Sequence, residues 1–205
     1  MRKQVRVKIC GLTNLDDARA ALEAGADALG FNFYPQSPRF IAPATAAEII
    51  ASLPQPACIV GVFVNASRAD VARTAQQVGL TALQFHGNEA AELLQGWPQK
   101  VIKAVRVRDT AAAIEARRYL VDFILADAYV EGQFGGTGSR IAVELLEDFD
   151  RQRLILAGGL TAVNVTEAIG LVRPFAVDVA SGVERSPGKK DWNLMRRFIA
   201  HAHAA

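Results

Sequence analysis

Eight times along 205 residues a short β-branched run gives way to an Ala-rich stretch with helical spacing. The strand runs are nearly continuous apolar segments, such as Ile59-Val60-Gly61-Val62-Phe63-Val64, as in strands buried on both faces of a helix-covered parallel sheet. No Gly-x-Gly-x-x-Gly turn follows the first strand, and eight units exceed the five or six usual in an open doubly wound sheet. Together these observations predict an α/β protein folded as a (β/α)8 TIM barrel, one compact domain over residues 1–205 with lean loops.

The first strand is Val5–Cys10, and Asn14 with Asp16 and Asp17 behind it opens a helix over Asn14–Ala24 that Gly25 ends. The alternation continues with strand Ala28–Tyr34 and helix Ala44–Ser52, then strand Cys58–Asn65 and helix Arg68–Val78 before Gly79. Strand Leu80–Phe85 leads to a short helix near Glu89–Leu94, and strand Val101–Val105 to helix Thr110–Arg118. Strand Asp122–Ala126 runs into a Gly-rich loop and a helix at Ile141–Asp148. Strand Arg153–Ala157 with helix Val163–Ile169, and strand Phe175–Val179 with a last helix from about Asp191 to His203, complete the pattern.

Composition narrows the class. Half the residues are apolar and 21% are charged, an ordinary globular balance. A net charge of +2 without a Lys/Arg stripe does not suggest nucleic acid. No apolar run approaches the roughly 18 residues of a membrane helix, and the charged N-terminus does not read as a signal peptide. Cys10 and Cys58 make no disulfide framework and show no zinc spacing. A cytoplasmic, monomeric enzyme acting on a small molecule, with no membrane or nucleic-acid partner, is the expectation.

In such a barrel the chemistry lies at the C-terminal ends of the strands. Cys10 ends strand 1, Asn32 comes late in strand 2 with Arg39 in the loop beyond, Asn65 ends strand 3, and His86 ends strand 4. Arg106 follows strand 5, Asp127 ends strand 6, Gly158 and Gly159 follow strand 7, and Asp178, Ser181 and Gly182 close strand 8. Asp27 and Asp122 precede their strands and belong to the opposite, structural face, and Cys58 at the start of strand 3 reads as a buried packing residue. Strand alternation puts Lys8 on the same face as Cys10, where its charge would favour a thiolate. A carboxylate opposite a reactive thiol, as at Asp127, suits a general acid or base. His86 reads as substrate-pocket lining or loop support, and His201 and His203 carry no assignment.

Ala157-Gly158-Gly159-Leu160-Thr161 after strand 7 and Ala180-Ser181-Gly182-Val183 after strand 8 are the two loops with which barrels commonly hold a phosphate. Neither Gly135-Gly136-Thr137-Gly138 nor Gly188-Lys189-Lys190 fits a nucleotide P-loop. Residues Gly132–Gly138 read as a mobile lid.

Seven segments carry a family resemblance: Val7-Lys8-Ile9-Cys10-Gly11-Leu12, Gly30-Phe31-Asn32-Phe33-Tyr34-Pro35 through Ser37-Pro38-Arg39, Leu83-Gln84-Phe85-His86-Gly87, Leu125-Ala126-Asp127, Gly135-Gly136-Thr137-Gly138, Leu156-Ala157-Gly158-Gly159-Leu160, and Asp178-Val179-Ala180-Ser181-Gly182-Val183-Glu184. In order and spacing they resemble phosphoribosylanthranilate isomerase over the whole chain. Asn32 and Phe85 depart mildly, standing where that family usually has a bulky apolar residue and Leu.

The resemblance implies an aldose–ketose isomerase of tryptophan biosynthesis, working on phosphoribosylanthranilate by an Amadori rearrangement without metal or cofactor. It implies Cys10 as general base and Asp127 as general acid, with Arg39 on the anthranilate carboxylate. Gly158, Gly159, Ser181 and Gly182 would hold the phosphate, and Asp178 would stand near the aniline nitrogen. Other phosphosugar barrels fit less well. The aminoimidazole carboxamide ribotide isomerases typically use aspartates at the ends of strands 1 and 5, whereas strand 1 here ends in Cys10. The lysine set of indole-glycerol-phosphate synthase is absent, and a silent phosphosugar binder would need neither Cys10 nor Asp127.

Overall fold

A computed structural model describes residues 4–54, 57–127 and 143–205. Eight parallel strands close into one barrel in sequential order: β1 (Arg6–Cys10), β2 (Ala28–Asn32), β3 (Cys58–Phe63), β4 (Ala82–Phe85), β5 (Lys100–Arg106), β6 (Phe123–Asp127), β7 (Leu154–Ala157) and β8 (Ala176–Val179). Helices α1 (Leu15–Glu23), α2 (Pro43–Ala51), α3 (Arg68–Val78), α4 (Thr110–Arg117), α5 (Val165–Val172) and α6 (Trp192–His203) are spaced along the chain between and after the strands.

Local chemistry fixes the helix starts. Asn14 Oδ1 accepts from Asp17 N at 2.8 Å, Asp109 Oδ1 from Ala112 N at 2.8 Å, and Ser67 caps α3 through Asp70 N. Pro43 opens α2, where its missing N–H costs nothing.

Strand alternation builds two apolar layers. One face of the strands (Val60, Ala82, Ile102, Ala104, Leu125, Ile155, Ala157, Ala176) fills the barrel, with Phe123 and Phe175 stacked at 4.9 Å. The other face (Val7, Ile9, Leu29, Phe31, Leu83, Leu154, Leu156, Val177) packs against the helices. Each fully buried Leu, Ile or Phe contributes about 1.5–3 kcal/mol relative to exposure.

The N-terminal rim carries a repeated clasp. Asp27, directly before β2, accepts from Val7 N at 2.8 Å and pairs with Arg6. Thr81, directly before β4, accepts from Ile59 N at 2.8 Å. Asp122, directly before β6, accepts from Val101 N at 2.9 Å and pairs with Lys100 at 2.7 Å. The structural reading of Asp27 and Asp122 therefore agrees with their contacts.

Several boundaries differ from expectation for visible reasons. The strand expected to reach Tyr34 stops at Asn32, whose Oδ1 accepts from Tyr34 N at 2.9 Å and whose Nδ2 donates to Ser37 Oγ at 3.1 Å, turning the chain. The strand expected to reach Asn65 stops at Phe63, because Asn65 adopts φ 50° and its N–H turns to Glu89. The helix expected near Glu89–Leu94 is a 3-10 turn over Ala91–Leu94, the Glu89 side chain being folded back onto Asn65 and Gly87. The helix expected at Ile141–Asp148 is, among the described residues, a 3-10 turn over Val143–Leu146. Helix α5 starts at Val165 rather than Val163, since Asn164 Oδ1 accepts from Thr161 N at 2.8 Å and holds the preceding turn. Cys58 is exposed rather than buried: it opens β3 at the N-terminal mouth of the barrel, against the Thr81 hydroxyl. The expected lid at Gly132–Gly138 lies outside the described residues.

Two short strands were not anticipated. After a 3-10 turn at Ser181–Val183, β9 (Glu184–Ser186) and β10 (Lys189–Lys190) form an antiparallel hairpin. It folds back on the first loop, with Thr13 Oγ1 donating to Gly188 O at 2.5 Å and Lys190 N to Asp17 Oδ2 at 2.9 Å.

Candidate active site

Parity along the strands turns Lys8, Cys10, Gln84, Asp127 and Asp178 to the inside of the barrel, in the same set as the interior residues Ala82, Leu125 and Ala176. Cys10, Asp127 and Asp178 fall at its C-terminal mouth. Strand β6 lies three strands from β1 around the shorter arc of the closed barrel, through β7 and β8. Cys10 and Asp127 thus rise from well-separated sides of one opening, each partly accessible.

Lys8 is the centre of the interior polar group. It is only 3% exposed, and its Nζ donates to Asp178 Oδ1 at 2.7 Å across the β1–β8 seam. A Cβ at Gly30 would lie 3.2 Å from Lys8 Cε and 2.9 Å from Cys10 Sγ, so the small residue in β2 gives both side chains room. Burial opposes the Lys8 charge, but Asp178 and Cys10 outweigh it and hold the ammonium above its ordinary value. At Cys10 burial pushes the thiol up; Lys8 pulls it down, Asp178 pushes it up, and the thiol remains above its ordinary range.

His86 stands at the mouth after β4, with its Nδ1 3.0 Å from Gln84 Nε2. Loss of hydration holds its imidazole below the usual value; Asp178 and Asp127 act in the opposite sense. The loop beneath it is fixed by a buried ion pair absent from the sequence reading. Lys103 Nζ lies 2.7 Å from Glu89 Oε2 and donates to Gly87 O at 2.6 Å, while Glu89 Oε1 accepts from Asn65 N and Gly87 N, each at 2.9 Å. Parity could have flagged Lys103 as a cation on the helix-facing side of a strand.

Arg39 reaches the mouth from the β2 loop, where its guanidinium grips Glu184 through Nε and Nη2. Glu184 and Lys190, both buried at the side chain, are further residues to which the sequence reading assigned no role. The Gly-rich loops after β7 and β8 meet. Gly158 and Gly159 have φ of 94° and 60°, and a Cβ on Gly182 would lie 1.9 Å from Leu160 O. Asn164 Nδ2 donates to Gly159 O at 3.0 Å and steadies the first loop. Consecutive glycines in this geometry leave backbone N–H groups room to approach an anion.

A buried cation beside a thiol, an acid across the mouth and a paired glycine-loop cradle suit proton transfer on an anionic small molecule. Comparison with known proteins agrees. The model of the N-(5'-phosphoribosyl)anthranilate (PRA) isomerase family matches residues 7–201. An N-(5'-phosphoribosyl)anthranilate isomerase of Acidithiobacillus ferrooxidans is 49% identical over 199 residues, covering 96% of each chain. The crystal structure of phosphoribosyl anthranilate isomerase from Thermotoga maritima superposes with a TM-score of 0.90 at 45% identity, covering 98% of this chain and 100% of that one. A structure of such an isomerase in complex with reduced 1-(o-carboxyphenylamino)-1-deoxyribulose 5-phosphate superposes with a TM-score of 0.88 at 43% identity, with the same coverage. This chain belongs to the N-(5'-phosphoribosyl)anthranilate isomerase family.

Proposed function

We propose that this protein converts N-(5'-phosphoribosyl)anthranilate to 1-(2-carboxyphenylamino)-1-deoxyribulose 5-phosphate in tryptophan biosynthesis, with Asp127 as general acid and Cys10 as general base. The observation that carries the reading is the Cys10–Lys8–Asp178 group at the mouth of a barrel whose chain matches the family model over residues 7–201.

Asp127 gives a proton to the ribose ring oxygen as the C1–O bond breaks, and the nitrogen lone pair forms the C=N bond of an open-chain Schiff base. Cys10, as thiolate, takes the proton from C2. The electrons released form the C1=C2 bond and return the iminium pair to nitrogen, giving an enolamine. Tautomerisation delivers a proton to C1 and leaves the ketone at C2. Acid and base suffice for these steps, so they need neither metal nor cofactor. Lys8 stabilises the thiolate that burial disfavours. Asp178, held by Lys8, faces the aniline nitrogen. Arg39 receives the anthranilate carboxylate, Gly158, Gly159, Ser181 and Gly182 hold the phosphate, and His86 lines the sugar pocket.

The protein acts as one domain over residues 1–205, as a cytoplasmic monomer without nucleic-acid or membrane partners. Among the described residues no helix is long and apolar enough to cross a membrane, and the exposed large apolar residues, such as Leu120, Val163 and Leu171, are scattered along the chain. Light scattering after size exclusion tests the monomer. Loss of phosphoribosylanthranilate fluorescence on adding the protein tests the activity; a stable signal with fresh substrate refutes it.

A further inference from the structure

Arg39 cannot offer its whole guanidinium to a ligand. Nε donates to Glu184 Oε1 at 2.9 Å and Nη2 to Glu184 Oε2 at 2.7 Å, which uses the side edge of the group. The end edge, formed by Nη1 and the second N–H of Nη2, remains, and among the described residues no hydrogen bond engages Nη1. The stem is fixed as well. A Cβ on Gly11 would lie 2.5 Å from Arg39 Cδ, so only glycine lets Arg39 lie across the residue after Cys10.

Glu184 is itself held from behind. Its Oε1 accepts from Lys190 Nζ at 2.9 Å and from Gly188 N at 3.3 Å. Lys190, 1% exposed, gives its other bonds to Cys10 O at 2.6 Å and Ala180 O at 3.2 Å. One buried ammonium therefore ties the carboxylate that grips Arg39 to the backbone of Cys10 and to the residue before Ser181. Two cations and one carboxylate leave a surplus positive charge, and the open edge of Arg39 is where an anion can meet it.

We propose that Glu184, seated by Lys190, is a specificity-determining positioning residue: it aims the end edge of Arg39 at the aryl carboxylate of the substrate and keeps that edge in register with Cys10. This rests on the roles given above to Arg39 and Cys10. An arginine fixed in advance loses less side-chain freedom when its ligand arrives, so the contribution belongs to recognition of the carboxylate rather than to binding in general.

Two probes test it: reduced 1-(o-carboxyphenylamino)-1-deoxyribulose 5-phosphate and the same compound without the ring carboxylate. Their inhibition constants are compared in the wild type, Glu184→Gln, Arg39→Ala and the double variant. The wild type prefers the carboxylated probe. Glu184→Gln is expected to lower that preference about tenfold, on the order of 1.4 kcal/mol. Arg39→Ala should lower it at least as far, and Glu184→Gln should change nothing more once Arg39 is gone. A preference intact in Glu184→Gln but lost in Arg39→Ala overturns the positioning role alone. A preference intact in Arg39→Ala overturns the Arg39 assignment and the inference with it. Should Glu184→Gln not fold, Glu184→Asp keeps the buried charge one methylene short of Arg39. A threefold loss of preference is expected there, and an unchanged preference overturns the inference.

Discussion

Replacing Gly182 by alanine sets a methyl group 1.9 Å from the carbonyl oxygen of Leu160, with the Leu160 carbonyl carbon at 3.0 Å and Val179 Cγ2 at 3.2 Å. Cβ atoms do not approach a backbone oxygen closer than about 3 Å, and a main-chain carbonyl, unlike the end of a lysine, has no rotamer to escape into. The loops after β7 and β8 must therefore part by about 1 Å. If they grip the phosphate between them, a misplacement of this size costs about 10²-fold in kcat/KM, roughly 2.7 kcal/mol of transition-state stabilisation. Steady-state kinetics on phosphoribosylanthranilate, with a thermal melt alongside, reads the effect. Gly170→Ala is the control: Gly170 is in α5 with nothing within 4 Å of its would-be Cβ, so this change should stabilise by about 0.5–1 kcal/mol and leave kinetics alone. A Gly182→Ala protein with wild-type kcat/KM, whatever its melting temperature, would refute the phosphate assignment.

Other expectations follow from the same contacts. Cys10→Ser and Asp127→Asn should each lower kcat by orders of magnitude while urea denaturation changes little; near-normal turnover in either removes that residue from the acid–base pair. Because the Cys10 thiol is held above its ordinary value, kcat/KM should climb towards alkaline pH. Lys8→Gln, which removes the cation favouring the thiolate, should move that limb and the pH dependence of iodoacetamide labelling further up; a stationary limb argues against the thiolate as base. Lys103→Met leaves Glu89 buried without its cation and should cost about 3–5 kcal/mol in urea unfolding. Burial alone would push the Glu89 carboxyl up, but Lys103 and the backbone N–H groups outweigh it and hold the carboxyl below its ordinary value. The stability it supplies is complete above the unfolded value of about pH 4.3 and lost as pH falls through the folded one, so acid melts should show a smaller pH dependence in Glu89→Gln. An identical acid profile in the two proteins would exclude that contribution.

The parts of the site legible in the sequence are those fixed by local rules. Strand parity alone puts Lys8 beside Cys10, and the end of a strand alone puts Asp127 and Asp178 at the mouth. What escaped depends on contacts between distant segments. Lys190 meets the Cys10 carbonyl only because an unanticipated hairpin folds the chain back across 180 residues. The resemblance puts Arg39 on a ligand carboxylate but does not show that Glu184, 145 residues away, already engages one edge of its guanidinium. The helix expected near Glu89 gave way because its first carboxylate bonds backbone from the neighbouring loop, a competition that propensity does not register. The exposure of Cys58 is a matter of which strand it opens: β3 and β5 begin on exposed residues, Cys58 and Lys100, whereas β4, β7 and β8 begin on the buried Ala82, Leu154 and Ala176.

The clasps on the N-terminal rim have a bearing on how such a chain can be cut and rejoined. Each ties an odd strand to the even strand that follows it, at β1–β2, β3–β4 and β5–β6, and each is made within a stretch of about 20 residues. Along this rim the three clasps fall inside two-strand modules, while Arg153, directly before β7, donates to the Val121 and Asp122 carbonyls and joins the β5–β6 module to the next. New termini opened in the connections after β2 or β4 would sever none of these stitches, whereas termini opened after β1, β3 or β5 would each turn one into a contact between separated ends of the polypeptide. A cut placed between the pairs thus keeps each of the three clasps within one continuous segment, whereas the contacts at the mouth, such as Arg39 with Glu184 and Lys190 with the Cys10 carbonyl, join the two ends of the chain.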